Sequence, residues 1–133
     1  MIIRRAFIIT LLCFLILPAT ARAHYEGELL PDSVAEMEYR MIISMAPKDT
    51  LTMNKLGMVY LRQGKFDKAK AQFLDIIKVD PKNFDALDSL GMTAEKSGDY
   101  KKAVEWYGKA LSVKDDDGLK RRMGAAAQRL KGR

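Results

Sequence analysis

LTMNKLGMVYLRQGKFDKAKAQFLDIIKVDP (residues 51–81) and DALDSLGMTAEKSGDYKKAVEWYGKALSVKD (residues 85–115) decide the fold once one is written above the other. At this offset of 34, Leu56-Gly57-Met58 falls on Leu90-Gly91-Met92, and Gly64 on Gly98. Phe66 falls on Tyr100, Lys68 on Lys102, Ala69 on Ala103 and Phe73 on Tyr107. A fixed period of this length marks a supersecondary unit stacked on copies of itself.

Each unit reads as two helices. Leu51, Leu56, Val59 and Tyr60 recur at helical spacing and predict a first helix over about residues 50–63. Gly64 ends it, because glycine takes the left-handed conformation after a helix without steric cost. Phe66, Ala69, Phe73, Ile76 and Ile77 form the apolar stripe of a second helix, which Asp80-Pro81 stops. Small residues at Gly57 and Ala69 let the paired helices approach, and Phe73 fills the space between layers. One such pair buries too little apolar surface to stand alone, so the units must stack.

The pattern resembles the tetratricopeptide repeat, whose signature runs from a large apolar residue through Leu-Gly, Tyr, Ala, Phe and Ala to Pro. Met53, Leu56, Gly57, Tyr60, Ala69, Phe73, Ile76 and Pro81 take those places in one unit. Leu87, Leu90, Gly91, Ala94, Ala103, Tyr107 and Ala110 take them in the next, with Asp115 in place of the closing proline. One period upstream, Ala35, Tyr39, Ile42 and Pro47 match only the second half of a unit. The resemblance implies an all-α fold, a right-handed superhelical stack of antiparallel helix pairs, with about six helices after the leader. The expected layout is a half repeat at 33–47, full repeats at 50–83 and 84–117, and a capping helix at 118–131. In that last helix Leu119, Met123, Ala126, Ala127 and Leu130 make the apolar face, with Asp117 as the expected N-cap. Arg121, Arg122 and Arg129 avoid that face and are expected to point into solvent.

Residues 1–23 read as a cleavable secretory leader. Arg4 and Arg5 precede the apolar run Ala6 to Leu17, Pro18 breaks it, and Ala21-Arg22-Ala23 supplies small residues for cleavage before His24. The run is shorter than the roughly 20 residues that span a bilayer. Arg4-Arg5 also resembles a twin-arginine signal, but the strongly apolar core favours the general secretory route. An exported, periplasmic or otherwise extracytoplasmic protein is therefore expected, an uncleaved membrane anchor being the alternative. Cys13 is the only cysteine, so the chain after the leader forms no disulfide.

Charge excludes a nucleic-acid binder. The formal charge is +6, and loss of the three leader arginines leaves +3. Six Lys or Arg and no acid follow Gly118, so the remainder carries −3. Only the closing helix is strongly basic. Catalysis is equally poorly supplied. After the leader there is one histidine, His24, no Ser-His pair in the repeats and no carboxylate pair distinct from surface charge, so no enzyme is expected. Asp115-Asp116-Asp117-Gly118 resembles a calcium loop, yet Val113 and Gly124 would hold its first and last ligand places, and helix capping is the expected role. Neither His24 nor the thioethers of Met37, Met41 and Met45 make a metal site expected, and no cofactor is expected.

Two surfaces are candidate binding sites for a protein partner. The resemblance implies a concave groove lined by first helices, here Asn54, Met58, Leu61 and Arg62, then Asp88, Met92, Glu95 and Lys96. Family members that bind chaperone tails hold the terminal carboxylate with lysine, asparagine and arginine; Asp88 and Met58 break that pattern here. The second surface is the open N-terminal edge. Met37, Met41 and Met45 recur every fourth residue, on a different side from Ala35, Tyr39, Ile42 and Ile43, which would face the stack. A half repeat lacks the first helix that would cover that side. Residues 25–31, with Leu29 and Leu30, or a second chain would do so instead, a homodimer being one form. The expected function is that of an extracytoplasmic adaptor or assembly factor. The alternative is a protein that docks on anionic lipid or polymer through its basic closing helix. The leader yields a direct expectation: N-terminal sequencing of the exported protein finds His24 first, and an intact leader there replaces export by membrane anchoring.

Overall fold

The computed structural model describes residues 31–132. The leader and residues 24–30, including the proposed plug of Leu29 and Leu30, lie outside the described residues. The compact unit that begins at Asp32 holds six helices and no strand among the described residues. They are α1 (Asp32–Met45), α2 (Thr50–Arg62), α3 (Phe66–Val79), α4 (Phe84–Lys96), α5 (Tyr100–Val113) and α6 (Asp117–Lys131). None of them is long and apolar enough to cross a membrane.

Local chemistry sets each boundary. Asp49 caps α2 by accepting from the backbone N–H groups of Leu51 and Thr52, and Asn83 caps α4 by accepting from Ala86. Such caps satisfy donors that the first helical turn leaves without partners. Gly64 and Gly98 follow α2 and α4 with φ of 70° and 83°. At each, the next amide reaches back five residues: Lys65 N donates to the Tyr60 carbonyl and Asp99 N to that of Ala94, both at 2.9 Å. This double closure ties a first helix to the start of its second. Asp99 then caps α5 in turn, accepting from Lys102 N.

Packing runs between chain neighbours. Each helix lies against the next, and the first helices α2 and α4 also touch. Phe73 on α3 and Tyr107 on α5 are both fully buried, each against the glycine of its partner helix. A Cβ built on Gly57 would stand 2.5 Å from the Phe73 ring, and one on Gly91 closer still to Tyr107. Ile77 and Trp106 pack against both core clusters and join the two repeats into one apolar interior.

Three sequence expectations need correction. Leu51 is 65% exposed; it lies about 140° round the helix from Leu56, off the buried stripe. The N-cap of α6 is Asp116, not Asp117: Asp116 has extended backbone and accepts from Leu119 N at 2.7 Å, whereas Asp117 is already helical. Leu130 is exposed at the end of α6, where no further helix covers it.

The glycine contacts predict opposite signs for one substitution. Gly91→Ala should destabilise by about 1–3 kcal/mol through overpacking against Tyr107. Gly108→Ala and Gly124→Ala, within helices and with open space around them, should stabilise by up to about 1 kcal/mol. Thermal melts of the three variants check this, and a Gly91→Ala protein as stable as the others would contradict the close approach.

Candidate functional site

Side chains of the first helices, which the family resemblance places along a groove, recur with the repeat. Asn54 on α2, Asp88 on α4 and Arg122 on α6 occupy one repeat position; Leu61, Glu95 and Arg129 occupy another. The helix α6 therefore sits where the first helix of a third repeat would be. Arg122 grips Asp88 with two hydrogen bonds, Nη1 to Oδ1 and Nη2 to Oδ2, each 2.8 Å. Arg129 Nη1 donates to Glu95 Oε1 at 2.8 Å, and the Tyr107 hydroxyl donates to Glu95 Oε2 at 2.9 Å. The Arg122 guanidinium also lies 5.6 Å from the Tyr107 ring centre.

This network has a consistent electrostatic logic. Burial, then the Glu95 carboxylate, pushes the Tyr107 hydroxyl well above the usual phenol range, so it remains a donor. The hydrogen-bonded Asp88 carboxylate likewise raises Arg122 above the ordinary guanidinium range. The expectation that Arg122 and Arg129 point freely into solvent is thus corrected: both reach across to α4. Arg121 is exposed and has no such partner. The signal was present in the sequence, since each arginine stands 34 residues after the acid it binds.

The eight groove residues separate accordingly. Leu61 is buried in the core, and Met58 and Met92 are half-buried against it. Asp88 and Glu95 are held by α6. Arg62 pairs with Asp32 of α1 at 2.6 Å, and the neighbouring Lys65 pairs with Glu36 at 3.1 Å. Lys96 is exposed. Asn54 Oδ1 is buried and accepts no hydrogen bond among the described residues. Much of the charge at these positions is therefore matched internally.

The edge is different. Ala35 of α1 is buried and Tyr39 and Ile43 pack on the core, while Ile42 is half-buried. Met37, Met41 and Met45 stand away from that contact, 69%, 61% and 75% exposed. The aspartate run after α5 is used structurally: Asp116 caps α6, while Asp115 and Asp117 pair with Lys120. No cluster of three His, Cys, Asp or Glu among the described residues is placed to hold a metal ion.

Helix pairs of this geometry, repeating every 34 residues and stacked through a glycine-aromatic contact, define a helical-repeat solenoid. Residues 54–118 match the family model described as tetratricopeptide repeat. The chain is a tetratricopeptide-repeat protein. Among solved structures it is similar to the Sgt2 tetratricopeptide domain from Aspergillus fumigatus, at 26% identity and a TM-score of 0.70, over 84% of this chain and 73% of that one. It is also similar to YrrB, described as having an unusual peptide-binding site, at 26% identity and a TM-score of 0.63. That match covers 66% of this chain and 45% of YrrB, so the chain spans less than half of that protein. The first such domain of Spaghetti (RPAP3), solved with an HSP90 peptide, shares the fold at 14% identity and a TM-score of 0.73, over 84% and 86% of the two chains. No curated protein sequence matches the chain significantly.

The Asp88–Arg122 pair is partly exposed, with the carboxylate the more sheltered partner. Arg122→Gln should cost about 1 kcal/mol, the upper end for such pairs, and Arg121→Gln nothing measurable. Denaturation at low and high salt checks this: the difference between the variants shrinks as salt screens the pair. Combining Arg122→Gln with Asp88→Asn should recover part of the loss.

Proposed function

We propose that this protein is an exported interaction module, an adaptor or assembly factor of the extracytoplasmic space, that engages a protein partner through its N-terminal edge. The single observation that supports this reading is the exposed methionine ladder Met37, Met41 and Met45 on a helix whose other side buries Ala35 and packs Tyr39 and Ile43 on the core. Exposed contiguous apolar surface on an otherwise well-packed domain marks an interface. Thioether side chains suit it, being flexible and polarisable enough to follow a partner's contour. The concave groove is the secondary contact. YrrB carries a peptide-binding site by its description, and Asn54, Met58, Met92 and Lys96 are the groove residues outside the core that are not tied to α1 or α6. Docking on anionic lipid through α6 is less well supported, because Arg122 and Arg129 are already neutralised by Asp88 and Glu95. Location outside the cytoplasm rests on the leader alone.

A two-fold dimer would bring the same ladder from two chains together and close the assembly without another protein. Met41→Glu places a charge in the patch while leaving Ala35, Tyr39 and Ile43 in their contacts. Analytical ultracentrifugation over a concentration series should show the wild type associating and Met41→Glu staying monomeric. A wild type that remains monomeric throughout and binds no partner through this edge defeats the reading. A variant that instead only melts lower would assign the ladder to an internal cover.

A further inference from the structure

The backbones of the second helices α3 and α5 of adjacent repeats stay apart, and side chains of both line an open furrow between them. A cleft of about 420 Å³ lies in its C-terminal half. Ile77, Leu87, Trp106 and Val113 give it apolar walls, Lys82 and Lys109 stand at its rim, and no carboxylate lines it. Neither lysine has an ion pair among the described residues. Lys109 Nζ lies 4.0 Å over the Trp106 ring.

The repeat itself shows that this chemistry is not demanded by the fold. One period earlier, Ile43, Met53 and Val79 stand for Ile77, Leu87 and Val113, and Lys48 for Lys82, so the shell is preserved. Trp106 and Lys109, however, replace Gln72 and Asp75. Asp75 is neutralised there by Lys78, whereas Ser112 stands in the place of Lys78 beside the second cleft. A neutral, polar position in one repeat has thus become an aromatic wall with unmatched positive charge in the next.

We propose that this cleft docks an acidic segment of a partner protein, with an apolar side chain against Trp106 and flanking carboxylates on Lys82 and Lys109. The apolar walls account for the anchor, since aromatic side chains dominate such contacts. The two cations over a lining without acids account for the charge, because complementary potential selects the partner and rejects its opposite. The surface is separate from both the edge and the groove, so the chain would hold two partners, or two segments of one.

Trp106 is the only tryptophan and reports directly. Titrating the purified protein with a short peptide of leucines among glutamates should change its emission saturably. The same peptide with lysines in place of the glutamates should not. With a fluorescein label on the acidic peptide, Lys82→Glu combined with Lys109→Asp should raise Kd at least about tenfold, or about 1.4 kcal/mol. Met41→Glu should leave it unchanged, which separates this cleft from the edge. Circular dichroism checks the fold of the double variant, and Lys82→Gln alone, on an exposed loop residue, should still weaken binding severalfold. No emission change, equal affinity for the lysine peptide, or undiminished binding by folded variants overturns the proposal. A response confined to phosphatidylserine vesicles also overturns it and assigns the cleft to an anionic membrane.

Discussion

Two ring-on-glycine contacts carry the architecture: Phe73 on Gly57 and Tyr107 on Gly91. Both rings are fully buried, and burying such a side chain is worth roughly 1.5–3 kcal/mol. The contact forms only because the opposing helix offers no Cβ, so it sets the distance between first and second helix in each repeat. The turns at Gly64 and Gly98 then set their angle. Distance and angle repeated every 34 residues leave the stack little choice of path. Side chains that do not take part in these contacts are free to vary, and the differences between the repeats collect there.

Charge adds a second periodic device. The pairing of Asp88 with Arg122 and of Glu95 with Arg129 joins successive first helices through matching repeat positions. It turns α6 from a simple cover into the first helix of an incomplete third unit. The same pairing engages acids that the first helices would otherwise present. A peptide entering the groove would meet a carboxylate already satisfied and an arginine already committed.

The two ends of the stack differ in kind. At the C-terminal end, the face of α6 that a further second helix would cover carries Gly124, Ala125 and Gln128, in the places of Leu90, Gly91 and Ala94. These residues are exposed and small or polar. At the other end α1 stands in the place of a second helix and carries three exposed methionines. Terminal repeats usually exchange apolar for polar residues on the outer face. The exposed face of α6 fits that pattern.

The helices, their order and most of the core were legible in one dimension, because Leu56, Phe73, Leu90 and Tyr107 sit at spacings that only stacked helix pairs reconcile. The capping glycines and the stop at Asp80-Pro81 are local effects, and local effects can be read from neighbours in the chain. That the methionine ladder lies on a different side of α1 from Ala35, Tyr39 and Ile43 was legible for the same reason, since it follows from position on a single helix. Where Arg122 and Arg129 of α6 go was not legible, although each stands 34 residues after the acid it binds. A charged side chain on a polar face looks the same whether it meets water or an acid on the next helix. The tertiary structure alone decided that Asp88 and Glu95 are spent on internal pairs, that Leu61 belongs to the core, and that Trp106 walls an open cleft. Each of those outcomes depends on which helices lie beside one another and on the gap between them. Side-chain spacing along one helix carries no record of that distance.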